Sequence, residues 1–334
     1  MSKEHPFAPY IRIIGKGKSG HRDLTSGEAK DAMRQILSGE VEDIQLGAFL
    51  MLLRMKEESP GEIAGFIDAI RQECLPAPSE SLAILDWPSY AGKRRHLPWF
   101  LLSALLLAEN GIGVLMHGPA GHTEGRLYVE QLMSGIDQPV CTSLESATEQ
   151  LRNGQFAYLQ LAGISPLLDR MFGIRHLMGL RSPVHTIARM LNPLYAPYVI
   201  QGIFHPDYRD LQALAGDQLG IKNLAVFKGE GGEAELNPER PCLVKTLTEG
   251  KLSETEWPTI LNAPRSHAET PMEAAYLTRL WKGEYVNAYA EAAVIGTTAI
   301  ALNLLGRFPD QDSAMSGAEK MWANRNPERF KVSV

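Results

Sequence analysis

Apolar positions along the chain fall into two rhythms. Over residues 1–75 they recur with helical spacing. AKDAMRQIL follows Thr25 and Glu28, which stand three apart as a capping box should. Ser59, Pro60 and Glu62 give a second helix start, with proline at the first helical position. Between them, IQLGAFLMLLRMK (residues 44–56) is apolar on most of its circumference. That predicts a helix buried against partners, in the same chain or in another subunit.

PAPSES (residues 76–81) reads as a linker, and after it the rhythm changes. Short apolar runs (SLAILD, IGVLMH, FAYLQL, YVIQGIF, LAVFKG) alternate with longer helical patterns (PWFLLSALLLAEN, TEGRLYVEQLM, DLQALAGDQLG). This order predicts a mainly parallel sheet covered by helices, an α/β class. Residues 165–190 interrupt it with a helical pattern that holds no strand. Two long helical patterns, MEAAYLTRLWKG and NAYAEAAVIGTTAIALNLLG, close the chain. The expected organisation is a helical domain over 1–75, with 163–192 returning to it, and an α/β domain over 76–162 and 193–334.

Composition narrows the class. The 334 residues are 44% hydrophobic and 22% charged, an ordinary globular mixture. A net charge of −6 argues against a surface that is basic throughout, but not against a local cationic face. No opening segment has signal-peptide layout, and the longest apolar run, Leu97 to Ala108, is too short to span a bilayer. Cys74, Cys141 and Cys242 lie far apart without metal-ligand spacing. A cytoplasmic setting without membrane association is expected.

The candidate chemistry is cationic. Lys93, Arg94, Arg95 and His96 follow Tyr90 and Gly92 and precede Trp99 and an apolar run. They stand where a strand should turn into a helix, a frequent phosphate position. Lys16, Lys18, His21 and Arg22 form a second cluster; Arg170, Arg175, Arg181 and Arg189 run along the inserted helical stretch. Each has a plainer alternative. The alternative for the basic run is a solvated turn, for Arg170 and Arg175 a pairing with Asp169 and nearby acids, and for the first cluster an arm without a ligand. Trp99 reads as core, His117 as a strand-end cap, and Gly229, Gly231 and Gly232 as a turn.

Three segments then carry a resemblance. VLMHGPAGHTEGRLYVEQLMSGI, LQLAGISPLLDRMFGIRHLMGLRSPVHTIARMLNPLYAP and LAVFKGEGGEAELNP resemble, in order and spacing, the anthranilate phosphoribosyltransferase family, with its glycosyltransferase family 3 fold. The resemblance covers most of the chain from about Asp23 onward. It implies a small helical domain plus a large α/β domain with a mainly parallel sheet, of the nucleoside phosphorylase and class-II phosphoribosyltransferase type. It also implies dimerisation through the helical part. Family members cradle phosphoribosyl pyrophosphate in a Gly-Thr-Gly-Gly-Asp-Gly loop and hold magnesium with an Asp-Glu pair. Here the loop position reads Tyr90-Ala91-Gly92-Lys93-Arg94-Arg95, with one glycine left, and the acidic pair reads Ala234-Glu235. The family's Lys-His-Gly-Asn segment survives as His117-Gly118. Gly92, His117 and Gly118 are thus a residual cleft, and Arg175 matches an arginine that faces the family's cleft.

This pattern of loss is similar to that of the YbiB-like branch, whose members are nucleic-acid-binding homodimers with little sequence preference. The resemblance therefore implies binding of single- or double-stranded nucleic acid through Lys16, Lys18, Arg22, Lys93, Arg94, Arg95, Arg170, Arg175 and Arg181. No cofactor and no catalytic residue are assigned. The alternative is a phosphoribosyltransferase with a divergent site, its magnesium held by Glu230, Glu233 or Glu235. A third is a structural subunit that uses the apolar helix around Ala48–Leu53.

Overall fold

The computed structural model describes residues 3–17, 19–78, 81–262 and 271–330. Four helices come first: α1 (Ala8–Gly15), α2 (Ser26–Leu37), α3 (Asp43–Lys56) and α4 (Pro60–Cys74). Thr25 with Glu28, and Ser59 with Glu62, form the two expected capping boxes at the starts of α2 and α4. The expected linker has residues 79–80 outside the described ones.

The alternating part follows: β1 (Leu85–Pro88), α5 (Phe100–Glu109), β2 (Val114–Gly118), α6 (Glu130–Met133), β3 (Val140–Cys141), α7 (Leu144–Gly154) and β4 (Phe156–Gln160). The inserted stretch is α8 (Leu161–Ile164), α9 (Pro166–Gly173), α10 (Arg175–Met178) and α11 (Val184–Arg189). After it come β5 (Tyr198–Ile203), α12 (Tyr208–Gln218), β6 (Asn223–Lys228), β7 (Cys242–Thr248) and β8 (Lys251–Trp257). Helices α13 (Ala274–Lys282), α14 (Ala288–Leu304) and α15 (Gln311–Ala323) close the fold.

The strands form one sheet in the order β3-β4-β2-β1-β5-β6-β7-β8. All pairings from β3 to β6 are parallel, and β7 and β8 add antiparallel strands at one edge. Strand side chains alternate between the two faces. On β2, Val114 and Met116 enter one buried cluster with α5 and α14, while Leu115 enters the other. On β4, Phe156 and Tyr158 take the first face, and Ala157 and Leu159 the second. The second cluster also holds Phe49 of α3, Phe66 of α4, Leu168 and Phe172 of α9, and Ile187 of α11. The first four helices and the inserted stretch therefore share one core beneath the sheet.

Several elements depart from the sequence pattern: α1, β3, α7 and α15 lie outside the quoted runs, so three helices rather than two close the chain. TEGRLYVEQLM is helical only at its end, because Leu127 exchanges both backbone hydrogen bonds with Lys93, at 2.8 and 2.7 Å. The β7–β8 hairpin had no apolar run to announce it. Every side chain of KLSETEW except Trp257 is exposed, as suits a charged edge strand. Among the described residues no helix is long and apolar enough to cross a membrane.

The strand order reverses at β1, which has β2 on one side and β5 on the other. In open α/β sheets, ligands bind outside the carboxyl ends of the strands at such a reversal.

Candidate functional site

At the carboxyl ends of β1 and β5, facing α3 and the inserted stretch, lies a cleft of about 510 Å³. Six arginines line it: Arg54, Arg94, Arg126, Arg175, Arg181 and Arg189. His185 and His205 add nitrogen; Glu58 and Glu124 are the acidic groups in the lining. Burial raises the Glu58 carboxyl above the usual carboxylate range, with the Tyr208 hydroxyl 3.3 Å away.

The arginines come from distant parts of the chain, and three of them are held by hydrogen bonds to backbone carbonyls or to a hydroxyl. Arg54, on α3, donates to the Arg181 carbonyl at 2.6 Å. Arg126 donates to the carbonyls of Ala91 and Gly92 at 3.0 and 2.9 Å. Arg175 donates to the Thr123 hydroxyl. Thr123 in turn lies 2.9 Å from His122 Nδ1, and His122 Nε2 lies 3.0 Å from the Tyr90 carbonyl. Because a carbonyl only accepts, Nε2 carries the proton and Nδ1 accepts from Thr123.

Crowded cations oppose one another. Burial, then Arg126, Arg189 and Arg175, pull the Arg181 guanidinium down to about 10. Burial likewise lowers Arg189, which lies at the inner wall. Burial and the neighbouring arginines hold His122 down at about 4, and His185 shifts in the same direction. Such a set concentrates positive charge that an anion would offset.

The loop after β1 sits beside this cleft and is closed from within. Gly92 has φ 69°, and a Cβ there would lie 2.9 Å from the Tyr128 ring. Glu233 Oε1 accepts from the amides of Ala91 and Gly92 at 2.7 and 2.6 Å. Gly202 allows this approach, since a Cβ there would stand 2.1 Å from the Glu233 carbonyl carbon. Glu235 accepts from Lys93 Nζ at 2.6 Å and from the Phe100 amide at 2.9 Å. Burial raises the Glu235 carboxyl, while Lys93 works against that rise.

These contacts correct several expectations. Lys93 is 2% exposed and bound to Glu235, so its charge is consumed inside the fold. Tyr90 is buried and offers no ring to a ligand, and Trp99 is buried in the core, as its plainer reading expected. His117 is also fully buried, with Nδ1 2.7 Å from the Tyr90 hydroxyl and Nε2 3.3 Å from Asp86. Gly118 packs beneath the Ser89 carbonyl, so neither residue lines the cleft. Arg22 is exposed but forked onto Glu28 at 2.7 Å. Lys16 and Arg95 are exposed and stand apart from the cleft lining. Arg170 lines a separate hollow with Leu46, Phe172 and Leu177. Lys18 lies outside the described residues. Of the nine cations singled out, Arg94, Arg175 and Arg181 meet in the cleft. Arg189, named with the inserted stretch, lines the cleft too, whereas Arg54 and Arg126 were missed, because neither stands in one of the named cationic clusters and only the fold brings it there.

Magnesium would need oxygen ligands. Glu235 stands at the family's metal position, with Glu233 and Glu230 beside it; Glu233 and Glu235 are satisfied by backbone amides and by Lys93, and Glu230 accepts from the Asn237 side-chain amide at 2.8 Å. No group of three or more His, Cys, Asp or Glu side chains among the described residues is placed to hold a metal. In this conformation the residues do not fit the ion.

Comparison with known proteins agrees with the fold. Residues 8–74 match the helical bundle domain of a glycosyl transferase family. The anthranilate phosphoribosyltransferase of Stenotrophomonas maltophilia is 30% identical over 243 residues, covering 71% of this chain and 69% of its own. The uncharacterized protein YbiB of Escherichia coli is 28% identical over 239 residues, covering 70% and 74%. The Saccharomyces cerevisiae anthranilate phosphoribosyltransferase, solved with PRPP and Mg, superposes with a TM-score of 0.77 at 16% identity, over 97% of this chain and 96% of that one. The chain belongs to the anthranilate phosphoribosyltransferase family and has its two-part fold.

Proposed function

We propose that the arginine cleft binds the phosphates of nucleic acid with little regard to base sequence, on a transferase fold whose pyrophosphate loop is closed by its own glutamate. One observation carries this: among the described residues, six arginines converge on a single cleft with Glu58 and Glu124 as its only acidic lining. Guanidinium groups match phosphate geometry in pairs and stay charged. Contacts to backbone phosphates position a nucleic acid without reading its bases. Glu233 meanwhile occupies the amides of Ala91 and Gly92 that a sugar pyrophosphate would require. Binding of a labelled oligonucleotide, followed by fluorescence anisotropy, tests the proposal; no binding at low salt would end it.

Phosphoribosyl transfer is the second reading, and the named relatives weigh for it more than for the first. The cleft stands at the sheet's switch point, where a substrate belongs, and its arginines suit a pyrophosphate. Fold by itself does not carry function, however. Transfer with magnesium needs Glu233 to leave two amides and Glu235 to leave Lys93. Product formed from phosphoribosyl pyrophosphate, anthranilate and magnesium would establish this reading in place of the first.

A homodimer also belongs to the proposal. Ile44 and Met55 of α3 are 83% and 77% exposed, apolar side chains that a second copy would cover. Light scattering at micromolar concentration should give twice the chain mass; a monomer would remove this part.

A further inference from the structure

We infer that Phe204, at the mouth of the arginine cleft, is a stacking platform for an unpaired base. The cleft then takes single-stranded nucleic acid, with phosphates inward and a base on the Phe204 ring. The inference rests on the phosphate-binding reading above and adds a strand class to it.

Phe204 is 49% exposed. Among the described residues it is the only phenylalanine, tyrosine or tryptophan in the exposed class. All other rings are packed or half-packed, so the fold had the means to bury this one. It directly follows Ile203, the last residue of β5, at the sheet's switch point. It lines the same cleft as the six arginines. The neighbouring His205 ring meets it edge-on, with centroids 4.9 Å apart at 76°. His205 thus meets the ring at a steep angle and is not stacked flat upon it. Phe204 also abuts the turn after β6, which touches the closed loop: a Cβ on Gly232 would be 3.2 Å from the Phe204 Cβ and 3.3 Å from that of Ala91.

An apolar ring beside several cations is a poor place for an aliphatic partner, whose arrival would strip water from the guanidiniums. A nucleotide satisfies both features, because charge and π-face lie on one molecule. Every base has such a face, so stacking preserves indifference to sequence. A duplex does not offer this match. Its bases are already stacked inside, and its convex backbone would bring phosphates to the cleft but no free base face to Phe204.

The test uses the full chain and three probes. These are a labelled single-stranded oligonucleotide, an abasic strand of equal length, and inorganic polyphosphate. Phe204→Ala should weaken the oligonucleotide by about 5- to 100-fold, the range expected for one lost stacked base. It should leave the abasic strand and polyphosphate unchanged. Phe204→Leu, which keeps an apolar side chain but no ring, should behave like Phe204→Ala. Phe204→Trp should keep oligonucleotide affinity and show indole quenching on binding. Equal oligonucleotide binding by the parent and Phe204→Ala, with loss in Arg175→Ala/Arg181→Ala, would overturn the stacking inference and leave the phosphate cleft standing. Equal weakening of all three probes would assign Phe204 to packing and also overturn it. Failure of the parent to bind any probe would remove the cleft reading itself.

Discussion

Glu233 sets one carboxylate oxygen 2.6 Å from the amide of Gly92, and the same oxygen 2.7 Å from that of Ala91. The chain thus supplies its own anion to the loop that resembles the family's pyrophosphate cradle. The carboxylate is 1% exposed, so no ligand phosphate reaches these amides while it stays.

Replacing Glu233 with alanine should free both amides. Pyrophosphate, measured by titration calorimetry, should bind the variant more tightly than the parent. The variant should also lose about 1–3 kcal/mol of stability, the cost of leaving buried donors unpaired. A stable variant with unchanged pyrophosphate affinity would mean that the loop is no longer shaped for phosphate.

Lys93 and Glu235 form a buried pair, with the side chains 2% and 0% exposed. Lys93→Ala leaves the carboxylate alone in the interior and should cost about 3–5 kcal/mol in urea unfolding. Lys93→Met with Glu235→Gln should cost less, because no charge is stranded. Burial already raises Glu235 in the parent, and losing Lys93 should raise it further. A carboxyl raised in the fold contributes most below its unfolded value and loses that contribution as pH rises through the folded one. The deficit of Lys93→Ala should therefore be larger at pH 7 than at about pH 5. Equal deficits at both would show that Glu235 is not the titrating group.

His122 should make the fold sensitive to acid. In the unfolded chain its imidazole takes up a proton near the ordinary value of 6.5, but in the fold it resists until about 4. Within that window unfolding takes up a proton, so stability falls as pH drops from 6.5 toward 4. His122→Gln, which keeps a donor for the Tyr90 carbonyl, should flatten the thermal midpoint against pH. His185 shifts the same way, so the slope should shrink rather than vanish. An unchanged slope would take His122 out of the account.

Much of the fold was legible because its signals are local. The capping boxes at Thr25 and Ser59, and the apolar runs of β1, β2, β4, β5 and β6, each lie within a short window. The polar β7–β8 edge carried no such run. The site was legible only in part, because it is assembled from distance. Arg175 and Arg181 could be read from one stretch, whereas Arg54 and Arg126 join them only through packing. Lys93 misled for the opposite reason. It stands in a basic run whose neighbours Arg94 and Arg95 are exposed, but its strand bridge to Leu127 turns it inward to Glu235. Phe204 lay at the end of an apolar run and gave no sign of its exposure, while Trp99 is buried as its place before an apolar run suggested, and Tyr90 is buried with it.

The measurement closest to the central claim is oligonucleotide anisotropy across a salt series, on the parent and on Arg175→Ala/Arg181→Ala. For single strands, log affinity should fall against log salt with a slope of about −0.7 per phosphate neutralised. The double variant should bind every sequence more weakly by a similar factor, with a slope shallower by roughly one to two units. Equal affinity and equal slope in the two proteins would contradict the account, and would place any nucleic-acid binding outside the arginine cleft.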